Sequence, residues 1–260
     1  MKLSVLTENT AGGKFLAEHG LSYIIELNGQ TFLFDTGHTD VFLQNAVKLG
    51  VDIHKSIETI ILSHGHWDHG NGLQYLNNKT LIVHPSAFIK RYRINDKTNI
   101  GLALSKQQLE HNFKLITSKE PYKISENIIF LGEIPRLTDF EAKSTPFADE
   151  NGNPDFIPDD SALAVIQDCE LVVITGCSHS GICNIIEQAK KVTGIDKVNA
   201  VVGGFHLKHN DQQTQQTVQY LKNHKIKNIF PSHCIELPAL VAFYNEFKIQ
   251  QLKTGAILEL

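Results

Sequence analysis

Residues 62–72 read LSHGHWDHGNG, which places His64, His66, Asp68 and His69 within six positions, directly after the apolar run Ile60, Ile61, Leu62. Imidazole and carboxylate hold zinc, iron or manganese and leave a coordination position open for water. His64 and His66 are two apart, so on an extended segment both rings point the same way and can grip one cation. Asp68 and His69 follow a bend and are expected to face a neighbouring cation. No cysteine lies nearby, which argues against a closed structural zinc site. Gly65, Gly70 and Gly72 are expected where the backbone turns tightly. A polar turn that merely contains histidines is the competing reading, and four ligands at this spacing fit it poorly.

The elements that must position these residues are legible on both sides. "LSYIIELNGQTFLFDTG" reads as two strands joined at Asn28-Gly29. "DVFLQNAVKLGVD" has helical spacing and a stop at Gly50. "ETIILS" is a buried strand that delivers the histidine-rich turn, "TLIVH" is a further strand, and "SKQQLEHNF" is a helix. "NIIFLGEIP" is a strand, and residues from about 137 to 160, rich in Pro, Gly, Asn and Asp, read as a long loop of the kind that is often functional. The second half repeats the grammar: the hairpin "SALAVIQDCELVVITG", the helix "GICNIIEQAKKVTG", the strand "VNAVVGGF", the helix "DQQTQQTVQYLKNHK" and the strand "NIFPSH". Two β-rich halves with interspersed helices imply two sheets with helices outside them. No linker is evident, so residues 1–260 are expected to form a single domain.

Bulk properties narrow the classes. The chain has 260 residues, 42% hydrophobic and 20% charged, as for a globular protein with a sizeable core. Its net charge of −4 lacks the basic excess of a nucleic-acid binder. No apolar run approaches the ~18 residues that span a membrane. Met1-Lys2 leads into a stretch too short for a secretory signal, and the four cysteines form no CxxC pair, so a reduced cytoplasmic protein is expected. The 13 histidines exceed what packing alone calls for.

"SHGHWDHGNG" resembles the HxHxDH motif of the metallo-β-lactamase superfamily, and "FLFDTG" resembles that superfamily's first motif, whose aspartate supports the site without being a main ligand; here it is Asp35. "AEHGLS", "GEIPR", "PDDSAL", "ITGCSHSGI", "GGFHL" and "PSHC" together resemble the branch named for the dihydropterin-condensing synthase of methanopterin biosynthesis. The resemblance implies an α/β fold, a four-layer αββα sandwich with a metal site at one sheet edge. It also implies a last histidine ligand in "PSHC", His233. The superfamily's bridging aspartate is missing, because its "TGD" turn reads "TGCSH" here. His179 from that turn is the expected replacement ligand, and Asp160 in "PDDSAL" lies where the usual third histidine falls. His206 in "GGFHL" is given a catalytic role together with Asp68, against a structural histidine. Glu18 and His19 in "AEHG" are read as substrate-binding, with a turn role as the alternative, and Arg136 in "GEIPR" as an anion fork. His84 and Cys177 are read as structural, and Arg91 and Arg93 in "KRYR" as a solvated face.

The resulting expectation is a hydrolase that uses water activated by two divalent metal ions, zinc first with iron or manganese as alternatives, on a small anionic, phosphorylated substrate. The alternatives are the dihydropterin-condensing synthase and a non-hydrolytic ligand-binding or redox module. The redox reading requires an added domain that the sequence to Leu260 does not show. A nucleic-acid or membrane partner is not expected, and the oligomeric state is left open.

Overall fold

The computed structural model describes all 260 residues. The first elements in chain order are β1 (Lys2–Thr7), β2 (Ser22–Leu27), β3 (Gln30–Phe34), α1 (Val41–Lys48), α2 (Ile53–Ser56), β4 (Thr59–Ile61) and α3 (Trp67–Gly70). There follow β5 (Lys79–Val83), β6 (Arg91–Arg93), α4 (Lys106–Asn112), β7 (Phe113–Thr117), β8 (Tyr122–Lys123), β9 (Ile128–Phe130) and β10 (Phe147–Asp149). The last are β11 (Ala162–Gln167), β12 (Glu170–Thr175), α5 (Ile182–Thr193), β13 (Val198–Gly204), α6 (Gln212–Asn223), β14 (Asn228–Ser232), α7 (Leu237–Phe247) and β15 (Ile257–Glu259). They fall into two compact units, neither continuous in sequence. The first comprises Met1–Lys119, Pro146–Asp155 and Leu252–Leu260, the second Glu120–Thr145 and Phe156–Gln251.

The first unit is built on a seven-stranded sheet of order β15-β1-β2-β3-β4-β5-β7. Asn28 and Gly29 take φ of 51° and 76°, the left-handed pair that a two-residue hairpin needs. From β3 onward the pairing is parallel, with α1 and α4 among the crossovers. Ile60 and Ile61 of β4 are both fully buried, which is why the strand reads as an unbroken apolar run. Its C-terminal end delivers the histidine-rich segment, the end at which open parallel sheets carry their sites.

The second unit carries a six-stranded sheet of order β14-β13-β12-β11-β9-β8. β12, β13 and β14 are parallel and joined through α5 and α6. α5 ends at Gly194, φ 71°, the glycine stop read from the sequence. Its core packs Leu171, Val173, Ile185, Val201 and Phe243 with the inner faces of these helices. No helix in either unit is long and apolar enough to cross a membrane.

Several elements differ from expectation. β1, β7, β15 and α7 are additional. The 137–160 stretch is not all loop: β10 pairs antiparallel with β6, Phe147 opposite Arg93 and Asp149 opposite Arg91. The solvated-face reading of "KRYR" is therefore corrected at Arg91. That side chain is fully buried, its Nε 2.7 Å from Asp155 Oδ2 and its Nη2 donating to Ser86 O at 3.0 Å. A buried guanidinium is tolerable only when paired in this way, and the partner lies 64 residues away, beyond the reach of local pattern.

A polar clasp joins α5 to α6. Tyr220 donates to Glu187, while the Lys190 ammonium lies 3.2 Å from Glu187 and 2.9 Å from His224 Nδ1. Burial and the Lys190 charge push the His224 imidazole below its usual range, against the opposing pull of Glu187 and Asp196. The folded state then binds fewer protons at His224 than the unfolded chain, so its contribution to stability is full above about 6.5 and is lost as pH falls from there through the lower folded value. The thermal midpoint is expected to drop between about pH 7 and pH 5, and His224→Gln should flatten that slope. Identical slopes for both proteins would remove His224 as the cause.

Candidate metal centre

In the first unit the three imidazoles of the motif converge. The rings of His64 and His66 lie 4.5 Å apart and those of His64 and His69 4.3 Å apart, centroid to centroid. α3 is a single turn that begins just after His66, so Asp68 and His69 project about 100° apart. His69 consequently sides with His64 and His66, while Asp68 turns to His19, with Oδ2 3.2 Å from His19 Nε2.

The glycines act by leaving space. None of Gly65, Gly70 and Gly72 takes a left-handed backbone; they serve the turning segment by lacking a side chain. A Cβ on Gly65 would lie 1.9 Å from the Ala87 carbonyl oxygen, so only glycine lets the motif pass that backbone.

Asp35 organises the cluster. Fully buried after β3, it accepts from Ser63 N–H at 2.7 Å, from the Ser63 hydroxyl at 2.7 Å and from His69 Nδ1 at 2.7 Å. The His69 proton is thereby fixed on Nδ1, leaving Nε2 as its ligating nitrogen. Ser63 Oγ, whose hydroxyl hydrogen is directed to Asp35, accepts from His64 Nδ1 at 2.9 Å and fixes that ring too. Burial pushes the Asp35 carboxyl up, opposed by His69 and Ser63. Burial, then the neighbouring His69 and His66, hold His64 well below its usual range, so it is the neutral imidazole that metals bind. His64 Nε2 faces His66 Nδ1 at 2.9 Å, a pair of ring nitrogens that a proton or a cation must bridge. This donor set fits a divalent metal.

Around it, His19 and His38 flank Trp67 at ring distances of 5.4 and 4.6 Å. Both Glu18 oxygens are occupied by the next turn, accepting from the backbone of His38 and Thr39 and from the Thr39 hydroxyl at 2.6 Å. That is the turn role its position also allowed. His84 Nδ1 accepts from Ser86 N–H at 3.1 Å, again a turn role.

The second unit gathers its residues at strand ends. Asp160 is buried just before β11, with Oδ2 held by the Ser180 N–H at 2.9 Å and by the Ser180 hydroxyl. Its Oδ1 is buried without a hydrogen-bond partner. An uncompensated carboxylate oxygen is costly, and a cation relieves the cost. Burial pushes the Asp160 carboxyl up, opposed by Ser180, His179 and the charge of Arg136. His179 and His206 stack with ring centroids 4.3 Å apart. A Cβ on Gly204 would lie 2.4 Å from Gly176 O and 2.5 Å from Cys234 Sγ, so that glycine lets the His206 strand end close on the 176–177 turn. Cys234 ties three turns together: Sγ accepts from His206 N–H and donates to Cys177 O, each at 3.2 Å. The Cys177 thiol itself is buried, as expected.

Asp35, Ser178, His206 and His233 all have positive φ, from 48° to 60°. Such residues cost about 1–3 kcal/mol each where unsupported and concentrate at functional sites. Glu141 and Asn184 escaped the sequence reading. Glu141 accepts from the Cys183 and Asn184 N–H groups at the start of α5, at 2.9 and 3.0 Å. Asn184 accepts from the N–H groups of Leu137 and Thr138, both at 2.8 Å, and donates to Ser180 O at 2.8 Å. Arg136 donates to Phe156 O.

Sheets and strand-end histidines of this kind define a protein of the metallo-β-lactamase fold. The crystal structure of Tm1679, a metal-dependent hydrolase of the β-lactamase superfamily, matches with TM-score 0.89 and 31% identity over 100% of this chain and 99% of its own. Residues 17–190 match the metallo-β-lactamase superfamily, and the chain belongs to it. A 7,8-dihydropterin-6-methyl-4-(β-D-ribofuranosyl)-aminobenzene-5'-phosphate synthase of Methanocaldococcus jannaschii is 34% identical over 100% of this chain and 96% of its own length. An uncharacterised protein of the same organism is 36% identical, covering 92% of each. The resemblance and the α/β fold type read from the sequence are borne out.

Proposed function

We propose that the protein is a metal-dependent hydrolase acting on a small anionic, phosphorylated substrate. The observation that carries this reading is the buried cluster of His64, His66 and His69, with outward ring nitrogens fixed by Ser63 and Asp35. The metal-dependent hydrolase at 31% identity supports it. In the first unit His64, His66, Asp68 and His69 are the proposed ligands; in the second, Asp160, His179 and His233. Two divalent ions are proposed, zinc first, then iron or manganese. When bound, they supply a hydroxide at neutral pH by lowering the pKa of water toward ~7. Asp68, partnered by the half-exposed His19, accepts and passes on a proton, and His206 donates one to the leaving group. His19 also contacts substrate. Arg136 holds the anion. The setting is a reduced cytoplasm, in keeping with four free cysteines.

The 34% identical synthase favours a second reading, in which the same residues clamp a leaving pyrophosphate during pterin condensation. Metal-loaded protein assayed on phosphate mono- and diesters separates the two. Turnover that chelator abolishes and metal restores supports hydrolysis; no turnover, with condensation of a pterin pyrophosphate and a ribofuranosyl-aminobenzene phosphate that releases pyrophosphate, supports the synthase.

Arg136→Lys is expected to lower kcat/KM for a phosphorylated substrate about tenfold or more with metal content unchanged, because lysine cannot form the bidentate fork. Equal effects on a matched substrate without phosphate would end the anion-clamp role.

A further inference from the structure

We propose that Arg91, acting through Asp155 and Phe147, positions the ring of His66. The inference rests on the reading of His66 as a metal ligand, and all four residues belong to the first unit. His64 and His69 are oriented through their Nδ1 atoms, by Ser63 and Asp35. The His66 ring has an apolar neighbour, the partly buried Phe147, with ring centroids 5.0 Å apart and planes at 67°. Rings that meet edge to face keep a preferred angle, so the phenylalanine sets which way the imidazole faces.

Phe147 is placed in turn by the buried ion pair. Asp155 N–H donates to Phe147 O at 3.0 Å, and the Asp155 carboxylate accepts from Arg91 Nε at 2.7 Å. Arg91 also holds two other segments that meet the motif. Its Nη2 donates to Ser86 O at 3.0 Å, next to Ala87, whose carbonyl oxygen lies against Gly65. Its own carbonyl accepts from Ile100 N–H at 2.9 Å, and Ile100 O accepts from Trp67 N–H at 3.1 Å. The next residue, Gly101, forms a β-bridge with His66. One residue thus ties together three segments in contact with residues 65–67. Stability alone does not call for this arrangement, because apolar residues of similar volume often serve a fold as well as a buried ion pair. What the paired guanidinium adds is direction, since its planar fork donates along fixed lines.

The test is zinc affinity by competition with a chelator, alongside long-range proton–nitrogen NMR spectra of the histidine rings in metal-free protein. Phe147→Leu keeps an apolar side chain and removes the ring. It is expected to weaken zinc binding about tenfold, as for loss of a partner of a ligand. It should also shift the His66 ring signals while those of His69 stay in place. Phe147→Tyr keeps the ring and should keep wild-type affinity. Arg91→Met/Asp155→Leu removes both charges together, so no unpaired charge is left buried and the fold is expected to survive. It should reproduce the Phe147→Leu loss, and adding Phe147→Leu to it should cost little more, as for residues on one path. Wild-type affinity in either Phe147→Leu or the double variant overturns the proposal, as does a loss in Phe147→Tyr equal to that in Phe147→Leu. His66 signals that stay put in Phe147→Leu, or move only along with those of every other histidine, overturn it as well. Should the double variant fail to fold, the comparison of Phe147→Leu with Phe147→Tyr decides. A wild type that binds no zinc, with His66 signals still moved by Phe147→Leu alone, sustains the positioning and counts against the metal reading only.

Discussion

Asp35→Asn is expected to lower metal affinity by about 10–100-fold with a parallel loss of activity at limiting metal. Asn tolerates the left-handed φ of 56° at this position, so the backbone stays in place. What changes is the hydrogen bonding. Asp35 accepts from Ser63 N–H, from the Ser63 hydroxyl and from His69 Nδ1. Asparagine keeps one acceptor oxygen and presents a donor where the other stood. If the oxygen stays on Ser63 N–H, the amide meets the Ser63 hydroxyl and His69 Nδ1–H donor to donor. His69 then loses its fixed tautomer, and the chain from Ser63 to His64 reverses. Titration with a competing chelator reads the affinity. Wild-type affinity in the variant would reduce Asp35 to a packing residue.

Asp160→Asn bears on the second unit. Its Oδ1 is buried and unpartnered, while Ser180 already holds Oδ2. Asparagine can keep the Ser180 contacts through its carbonyl oxygen, so the turn should survive. The Oδ1 position, which on the proposed reading would ligate a cation, becomes an amide nitrogen that cannot. Loss of one metal equivalent and a fall in activity of about 100-fold or more are expected, since even partners of ligands cost 10–100-fold. The burial that pushes the Asp160 carboxyl up also makes the neutral amide tolerable to the fold. A thermal midpoint equal to or above wild type, with one metal lost, is the combined signature of a ligand. Unchanged metal content and activity would leave Asp160 a turn residue.

Legibility in the sequence followed the distance over which each feature is encoded. The Asn28-Gly29 hairpin, the glycine stop of α5 and the apolar β4 are local, and each is found where local chemistry places it. The convergence of His64 and His66 is local too. Arg91 was misjudged because its neutralising partner Asp155 is remote, and a buried arginine looks solvent-exposed until that partner is seen. α7 was missed although its first turn carries Pro238, a common N-terminal signal. Glu141 and Asn184 were missed because capping α5 from 42 residues upstream leaves no spacing pattern. Cys234 lies beside His233 in "PSHC" and could have been found by asking why a thiol follows a strand-end histidine. Ser63 and Ser180 had a fainter signal, as hydroxyls beside His64 and His179 in "LSHGH" and "CSHSG".

The most direct measurement is metal content by inductively coupled plasma mass spectrometry on protein purified without chelator, alongside a His64→Ala/His66→Ala double variant. Two divalent equivalents per chain are predicted for the wild type, and one or none for the variant with its fold retained by circular dichroism. A reproducible single equivalent in the wild type, unchanged on adding metal, or equal content in the two proteins, would contradict a binuclear centre built on these histidines.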